Sequence, residues 1–280
     1  MTLKEAYEYG FCSLTQADIE DARTDAFLLL EYICHVTKAD FFMEPDKEMS
    51  LSEEKTYIEG IKKRCEHVPL QHITHEQEFM GYSFYVDEHV LIPRMETEEL
   101  VLEVLNQSKD GMRVLDLCTG SGCIGIALKL QKPSLQVACS DISKQALVVA
   151  QRNAKALGAE VTLVESNLLE NISGEFDIIV SNPPYIPTAD IEELMTEVKV
   201  HEPFSALDGG EDGFEFYRQI ISLSPRTLAE EGMLFLEIGY DQGDTIRDIM
   251  SFNGFCDVVV KKDLQQLDRI AIGKLMKSER

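Results

Sequence analysis

Val114-Leu-Asp-Leu-Cys-Thr-Gly-Ser-Gly-Cys-Ile-Gly125 is the stretch that decides the fold. A short apolar run ends in Asp116, a turn of glycine and small residues follows, and a helical pattern opens at Cys123. Gly120 and Gly122 let the backbone come close to a ligand, and the unpaired N–H groups of a helix start would face it. A strand leading through such a turn into a helix is the first unit of a parallel α/β sheet with a site at its carboxyl edge. Nucleotide sites of several classes share this turn, so by itself it does not name a ligand.

Outward from this turn the chain alternates strand and helix. Strands are predicted at Arg113-Cys118, Leu135-Ser140, Val161-Glu165, Asp177-Ser181, Met233-Ile238, Cys256-Lys261 and Arg269-Lys274. Helices fit Glu98-Gln107, Cys123-Leu130, Lys144-Leu157, Gly213-Leu228 and Gln242-Phe252, with Ser143 as N-cap and Gly158 as C′ residue of the third. Repeated βα units imply a mostly parallel sheet covered on both faces. The last two strands have no helix between them, so the final strand should run antiparallel.

Upstream, residues 1–75 read as a small helical bundle. Thr2 to Glu5 and Ser50 to Glu53 have capping-box spacing, and Asp25-Ala-Phe-Leu-Leu-Leu-Glu-Tyr-Ile-Cys34 is apolar enough to be its core. Residues 76–92 read as a β-hairpin linker with strands Tyr82-Val86 and Val90-Ile92, and 93–280 as the α/β domain.

Two further strand ends carry chemistry. Asp141 closes the next strand about 20 residues after the glycine turn, where a carboxylate accepts the ribose hydroxyls of an adenosine moiety. A dinucleotide site fits this equally, and Asp141 could instead simply cap the following helix. Phe176-Asp-Ile-Ile-Val-Ser-Asn-Pro-Pro-Tyr-Ile-Pro187 separates the classes. Pro183 and Pro184 are stiff and lack N–H donors, so the loop offers carbonyl oxygens in a fixed orientation. Asn182 adds a side-chain oxygen and Tyr185 a flat face. A planar amide or aryl-amine nitrogen is a poor nucleophile because its lone pair is delocalised. Accepting both its N–H bonds, at Asn182 Oδ1 and the Pro183 carbonyl, holds it and favours pyramidalisation, with positioning and electrostatics carrying the rate. The plain alternative for this loop is a rigid turn with no role.

Charge and cysteine usage narrow the partners. Asp plus Glu total 50 against 26 Lys plus Arg, a formal net charge of -24. Nucleic-acid binders draw affinity from a basic surface, so this balance disfavours RNA or DNA and favours a basic protein partner. A generic acidic surface kept for solubility is the other reading. The seven cysteines are scattered without a CxxC, as expected of free thiols in a reducing compartment. Cys65, His67, His72, His75 and His89 match no standard zinc spacing, so no metal is expected. His201 and Glu202 are expected to shape the substrate loop rather than act as bases. No apolar run reaches membrane-span length and the first residues lack a signal-peptide core, so a cytoplasmic location is expected.

Taken in order, the three signals resemble the class I S-adenosyl-L-methionine-dependent methyltransferases that act on adenine N6, cytosine N4 or glutamine N5. The whole chain resembles the peptide chain release factor N5-glutamine methyltransferase family. The resemblance rests on Pro69-Leu-Gln-His-Ile73, Glu78-Phe-Met-Gly81, Val90-Leu-Ile-Pro-Arg-Met-Glu-Thr-Glu98, Glu202-Pro203, Ala206-Leu-Asp-Gly-Gly-Glu-Asp-Gly213 and Leu236-Glu-Ile-Gly239, beside the Asn182 loop. It implies a Rossmann-like methyltransferase domain behind a helical bundle that docks the substrate. It implies methyl transfer to the glutamine of a Gly-Gly-Gln tripeptide, with S-adenosyl-L-homocysteine as the second product. The implied cofactor residues are Arg94, Asp116, Cys118, Thr119, Gly120, Ser121, Gly122, Asp141, Asn167, Leu168 and Asn182. The implied substrate and catalytic residues are Asn182, Pro183, Pro184 and Tyr185. Release factors are the implied partners of a monomeric enzyme, and an adenine-N6 nucleic-acid methyltransferase is the main alternative. The chain departs from the family pattern at Cys118, usually Gly, at Asn167, usually Asp, and in lacking a glycine before Asp268-Arg269. The first two departures are expected to alter cofactor affinity more than activity.

Overall fold

A computed structural model describes residues 1–276 of the 280. These residues divide into two compact units, one formed by Met1–Glu76 with Met195–His201 and the other by Gln77–Leu194 with Glu202 onward.

The first unit contains α1 (Leu3–Gln16), α2 (Ala22–Cys34), α3 (Lys38–Met43), α4 (Leu51–Cys65) and α5 (Leu70–Thr74). Capping boxes open α1 at Thr2 and α4 at Ser50, and a third opens α3 at Thr37. Leu14, Ala26, Leu29, Leu30, Tyr57 and Ile61 form its buried core. One buried cation ties the unit together: Arg64 Nε binds Asp25 Oδ2 at 2.6 Å and its Nη2 binds Glu197 Oε2 at 2.6 Å. Glu197 lies in the segment Met195–His201, which the sequence reading placed with the α/β domain; this ion pair is one reason it groups with the helices instead.

The second unit opens with a hairpin, β1 (Glu76–Phe79) and β2 (Tyr82–Tyr85). The sequence reading gave its strands as Tyr82-Val86 and Val90-Ile92; the first is β2, but its partner is Glu76–Phe79, and Val90-Ile92 is loop. Met80 and Gly81, at φ 52° and 77°, make the tight turn that ends β1 and starts β2. The α/β elements follow in order. They are α6 (Met95–Gln107), β3 (Arg113–Leu117), α7 (Cys123–Gln131), β4 (Gln136–Asp141), α8 (Lys144–Leu157), β5 (Thr162–Glu165), β6 (Phe176–Ser181), α9 (Thr196–His201, in the first unit), α10 (Glu215–Leu223), β7 (Leu228–Glu237), α11 (Gly243–Phe252), β8 (Phe255–Lys262) and β9 (Asp268–Leu275). The strands form one sheet in the order β5-β4-β3-β6-β7-β9-β8, parallel except for β9, which runs antiparallel to both neighbours. Period-two alternation sends Val114, Ile178, Val180 and Phe235 to one face under α6 and α7. Leu115, Ile179, Leu234 and Leu236 face the other way, under α10 and α11.

Strand order reverses between β3, which turns to β4, and β6, which turns to β7. The carboxyl ends of β3, β4 and β6 therefore border the crevice where such sheets bind ligands. Ser143 caps α8 through its side chain, and Gly158 ends it in the left-handed region, as expected.

Candidate active site

A cavity of about 430 Å³ opens at these strand ends. That size suits a nucleotide-sized ligand. Of the expected cofactor residues, Arg94, Cys118, Thr119, Gly120, Ser121, Asp141, Asn167, Leu168 and Asn182 line it. Asp116 and Gly122 are not among its lining residues.

Asp116 works beneath the turn. It is fully buried, and its Oδ2 accepts from Thr119 Oγ1 at 2.5 Å and from the Gly125 N–H at 2.9 Å. It thereby ties the glycine turn to the first turn of α7, and burial pushes its carboxyl up to about 7. Gly122 is the N-cap of α7 at φ 82°, packed against Ile126 and Ala150. Gly120, at φ 53°, is the opposite case: a Cβ there would project into open space, so the turn presents bare backbone to the cavity. Cys118 also sits at positive φ, 61°, in the left-handed region that favours glycine. A glycine, which the resemblance leads one to expect here, would adopt this conformation without strain. Burial pushes its thiol up to about 12, so it stays protonated.

Asp141 is anchored by backbone donors, with Oδ2 accepting from the Gly120 N–H at 2.9 Å and Oδ1 from the Ser143 N–H at 2.8 Å. The reading of Asp141 as a mere helix cap is therefore too narrow: it locks the glycine turn to the start of α8 and also lines the cavity. Burial raises its carboxyl, and the same N–H donors pull it back. Below it, Ser166 Oγ donates to the Leu168 carbonyl at 2.7 Å and accepts from the Asn171 N–H at 3.0 Å. This holds Leu168 at φ 47° with its side chain against the cavity.

Asn182 and Pro184 line the cavity, whereas Pro183 and Tyr185 are not among its lining residues. The side chain of Tyr185 packs against the core under α10, and burial raises its phenol to about 12. Three features hold this loop, none of them assigned a role from sequence. Gln242 Nε2 donates to the Tyr185 carbonyl at 3.1 Å. The backbone from Leu207 to Gly210 runs alongside, with Ile186 N–H donating to the Leu207 carbonyl at 3.1 Å and Gly209 N–H to the Ile186 carbonyl at 2.8 Å. Thr97 Oγ1 accepts from Asn182 Nδ2 at 3.3 Å while donating to Glu237 Oε2 at 2.7 Å. Side-chain hydrogen bonds between distant segments leave no periodicity to read.

At the rim, Arg94 Nη2 pairs with Glu202 Oε1 at 2.5 Å. Glu202 is buried.

Comparison with known proteins agrees with this geometry. Residues 96–211 match the family model described as methyltransferase small domain, and residues 5–74 match the one described as PrmC N-terminal domain. The chain is 39% identical over 275 residues to the release factor glutamine methyltransferase of Geobacter sulfurreducens, covering 98% of this chain and 97% of that protein. It is 38% identical over 281 residues to the protein of the same name from Clostridium acetobutylicum, covering 97% and 98%. Among solved structures, a methyltransferase from Pyrococcus furiosus superposes with a TM-score of 0.54 at 18% identity, over 70% of this chain and 90% of that one. A ribosomal protein L11 methylase from Lactobacillus delbrueckii does so with a TM-score of 0.51 at 22% identity, over 68% and 84%. The structural likenesses speak to the fold, a class I methyltransferase domain; the sequence relatives go further, and the chain belongs to the release factor glutamine methyltransferase family.

Proposed function

We propose that this enzyme transfers a methyl group from S-adenosyl-L-methionine to the N5 side-chain nitrogen of the glutamine in the Gly-Gly-Gln motif of peptide chain release factors. The observation that carries this reading is the orientation of Asn182. Its NH₂ is engaged by Thr97, which leaves Oδ1 as the end available to an acceptor N–H.

The cavity fits the cofactor. Gly120 leaves space where a Cβ would stand, and the Asp141 carboxylate lines the cavity where it would accept from the ribose hydroxyls. Leu168 and Asn167 would line the adenine, and Arg94 would meet the carboxylate of the methionine part. When bound, S-adenosyl-L-methionine supplies an electrophilic methyl on a sulfonium and leaves as S-adenosyl-L-homocysteine. Asn182 Oδ1 and the Pro183 carbonyl accept the two N–H bonds of the glutamine amide and turn its lone pair outward. Pro184 and Tyr185 keep those acceptors in a stiff frame. Once methylated, the nitrogen is acidic enough to lose its extra proton to water, so no strong base is required.

The helical unit, residues 1–75, docks the release factor away from the tripeptide in this reading, and the enzyme acts as a cytoplasmic monomer. No helix among the described residues is long and apolar enough to cross a membrane. The net charge of -24 favours a basic protein surface over nucleic acid.

The test is methyl transfer from labelled cofactor to purified release factor, duplex DNA and total RNA, with wild type and Asn182→Ala. Label on the Gly-Gly-Gln glutamine, lost with Asn182→Ala, is the expected result. Label on nucleic acid and none on protein would overturn the substrate assignment. Deleting residues 1–75 should lower kcat/KM on intact release factor; an unchanged value would remove the docking role.

A further inference from the structure

We propose that Thr97 and Glu237 are positioning residues that fix which end of the Asn182 amide faces the acceptor, with the carboxylate of Glu237 setting the direction of the whole chain of hydrogen bonds. The inference rests on the reading of Asn182 as an acceptor for substrate N–H groups.

An asparagine amide is nearly symmetric in shape and opposite in chemistry at its two ends. Only with Oδ1 toward the cavity can Asn182 bind an acceptor N–H; with Nδ2 there, two donors would confront one another. The decision lies behind it. Glu237 ends β7 at 2% exposure and Thr97 lies in the first turn of α6 at 3% exposure, so water does not replace either partner. The Tyr217 hydroxyl donates to the Glu237 main-chain carbonyl at 2.9 Å, and Glu237 pairs with Ile270 across the antiparallel ladder. A carboxylate accepts and cannot donate. Thr97 must therefore give its single hydroxyl proton to Glu237 Oε2, at 2.7 Å, and keeps only lone pairs for Asn182. Asn182 must then offer Nδ2, as observed at 3.3 Å, and Oδ1 is left for the cavity. If Glu237 is protonated, the order can reverse: its O–H donates to Thr97, Thr97 donates to Oδ1, and Nδ2 faces the acceptor.

The groups facing Glu237 make this reversal accessible near neutrality. Burial is the largest influence and pushes its carboxyl up to about 7; the Thr97 hydrogen bond, Arg269 on β9 and a direct hydrogen bond from the Asn182 side chain hold it down, while Glu96 on α6 raises it. The carboxylate thus turns the Asn182 amide both through Thr97 and directly. Tyr185 beyond β6, Tyr217 on α10 and Cys123 at the start of α7 also feel its charge, and burial keeps all three protonated at that pH.

The test compares wild type, Glu237→Gln, Thr97→Val and Thr97→Ser by kcat/KM between pH 5.5 and 9, with cofactor Kd by calorimetry and thermal unfolding as a check on folding. Wild type should lose kcat/KM as pH falls through about 7, since this ratio reports the free enzyme's groups. Glu237→Gln should lower the plateau by about 3- to 10-fold and abolish that acid limb, because glutamine accepts or donates without titrating. Thr97→Val should lower kcat by about 10- to 100-fold with cofactor Kd changed less than about threefold, and Thr97→Ser should restore most of the rate. Wild-type kcat/KM in Thr97→Val, or an unshifted acid limb in Glu237→Gln, would overturn the proposal. Should Thr97→Val fail to fold, the pH profile of Glu237→Gln decides. Rates are read on whichever acceptor wild type methylates, so transfer to nucleic acid alone would sink the release factor reading while the same variants still judge the relay.

Discussion

Gly209→Ala tests whether the glycine-rich segment after α9 sets the position of the loop Asn182–Tyr185. A Cβ on Gly209 would stand 2.7 Å from both the carbonyl carbon and the Cα of Tyr185, and 3.0 Å from the Gly213 Cα. All three are backbone atoms, so no flexible side chain can swing away. Ordinary contact begins at 3.4 Å, so one of the two strands of backbone must move by the difference, about 0.7 Å. Gly209 is held by its N–H bond to the Ile186 carbonyl at 2.8 Å and by the Glu215 N–H bond to its own carbonyl at 3.1 Å. The displacement therefore passes into Tyr185 and on to Asn182. Misplacing a reacting group by about 1 Å costs on the order of 100-fold in rate, so about 0.7 Å should cost roughly 10- to 50-fold in kcat. Cofactor Kd should be little changed, because Asp141 and the turn at Gly120 are not in the path. Gly111→Ala is the comparison: its φ is 83° with nothing within 4 Å of the new Cβ, so it should cost about 1 kcal/mol of stability and leave kcat alone. If Gly209→Ala turned over within twofold of wild type at an unchanged Tm, the steric coupling argued here would be wrong.

Three further expectations follow from charge and burial. Arg64→Met leaves Asp25 and Glu197 facing each other without their shared cation, and should destabilise the helical unit by about 3 kcal/mol in denaturant unfolding; a loss below about 1 kcal/mol would mean that water already screens the pair. Without cofactor, stability should fall with rising pH, because burial raises Asp116 and Glu237 from 3.8 and 4.5 to about 7. The folded state binds these protons more tightly than the unfolded one, so their contribution is complete below about pH 4 and lost as pH rises through about 7. Between pH 6 and 8 the loss should be about 1.4 kcal/mol per group, and Glu237→Gln should remove its share; a flat profile would contradict the burial argument. With a net charge of -24, kcat/KM on a basic protein acceptor should drop several-fold between about 20 and 200 mM salt while kcat stays constant, and a salt-independent ratio would rule out electrostatic steering.

The parallel sheet and the order of its ligand-bearing ends were legible because they are written in local, periodic signals. Apolar runs of strand length end at Asp116, Asp141 and Asn182, each followed by a turn or a capped helix, and the absence of a helix between β8 and β9 foretold the antiparallel strand. Nine of the eleven expected cofactor residues line the cavity for the same reason. One strand of the hairpin, Tyr82-Val86, was read correctly, but its partner was assigned downstream instead of upstream because Met80, a non-glycine residue at positive φ, gives no turn signal in sequence.

By itself, then, the sequence determined which residue types stand at the strand ends, since backbone propensity and period act over a few neighbours. Only the tertiary structure decided what those residues touch. Asp116 turned out to be a strut under the turn, Glu197 a partner of a cation more than a hundred positions away, and Asn182 a side chain aimed by Thr97 and Glu237. Such contacts are single hydrogen bonds and ion pairs between segments far apart in the chain. Their existence depends on where the packed sheet and helices carry each atom, and no pattern along the chain encodes that.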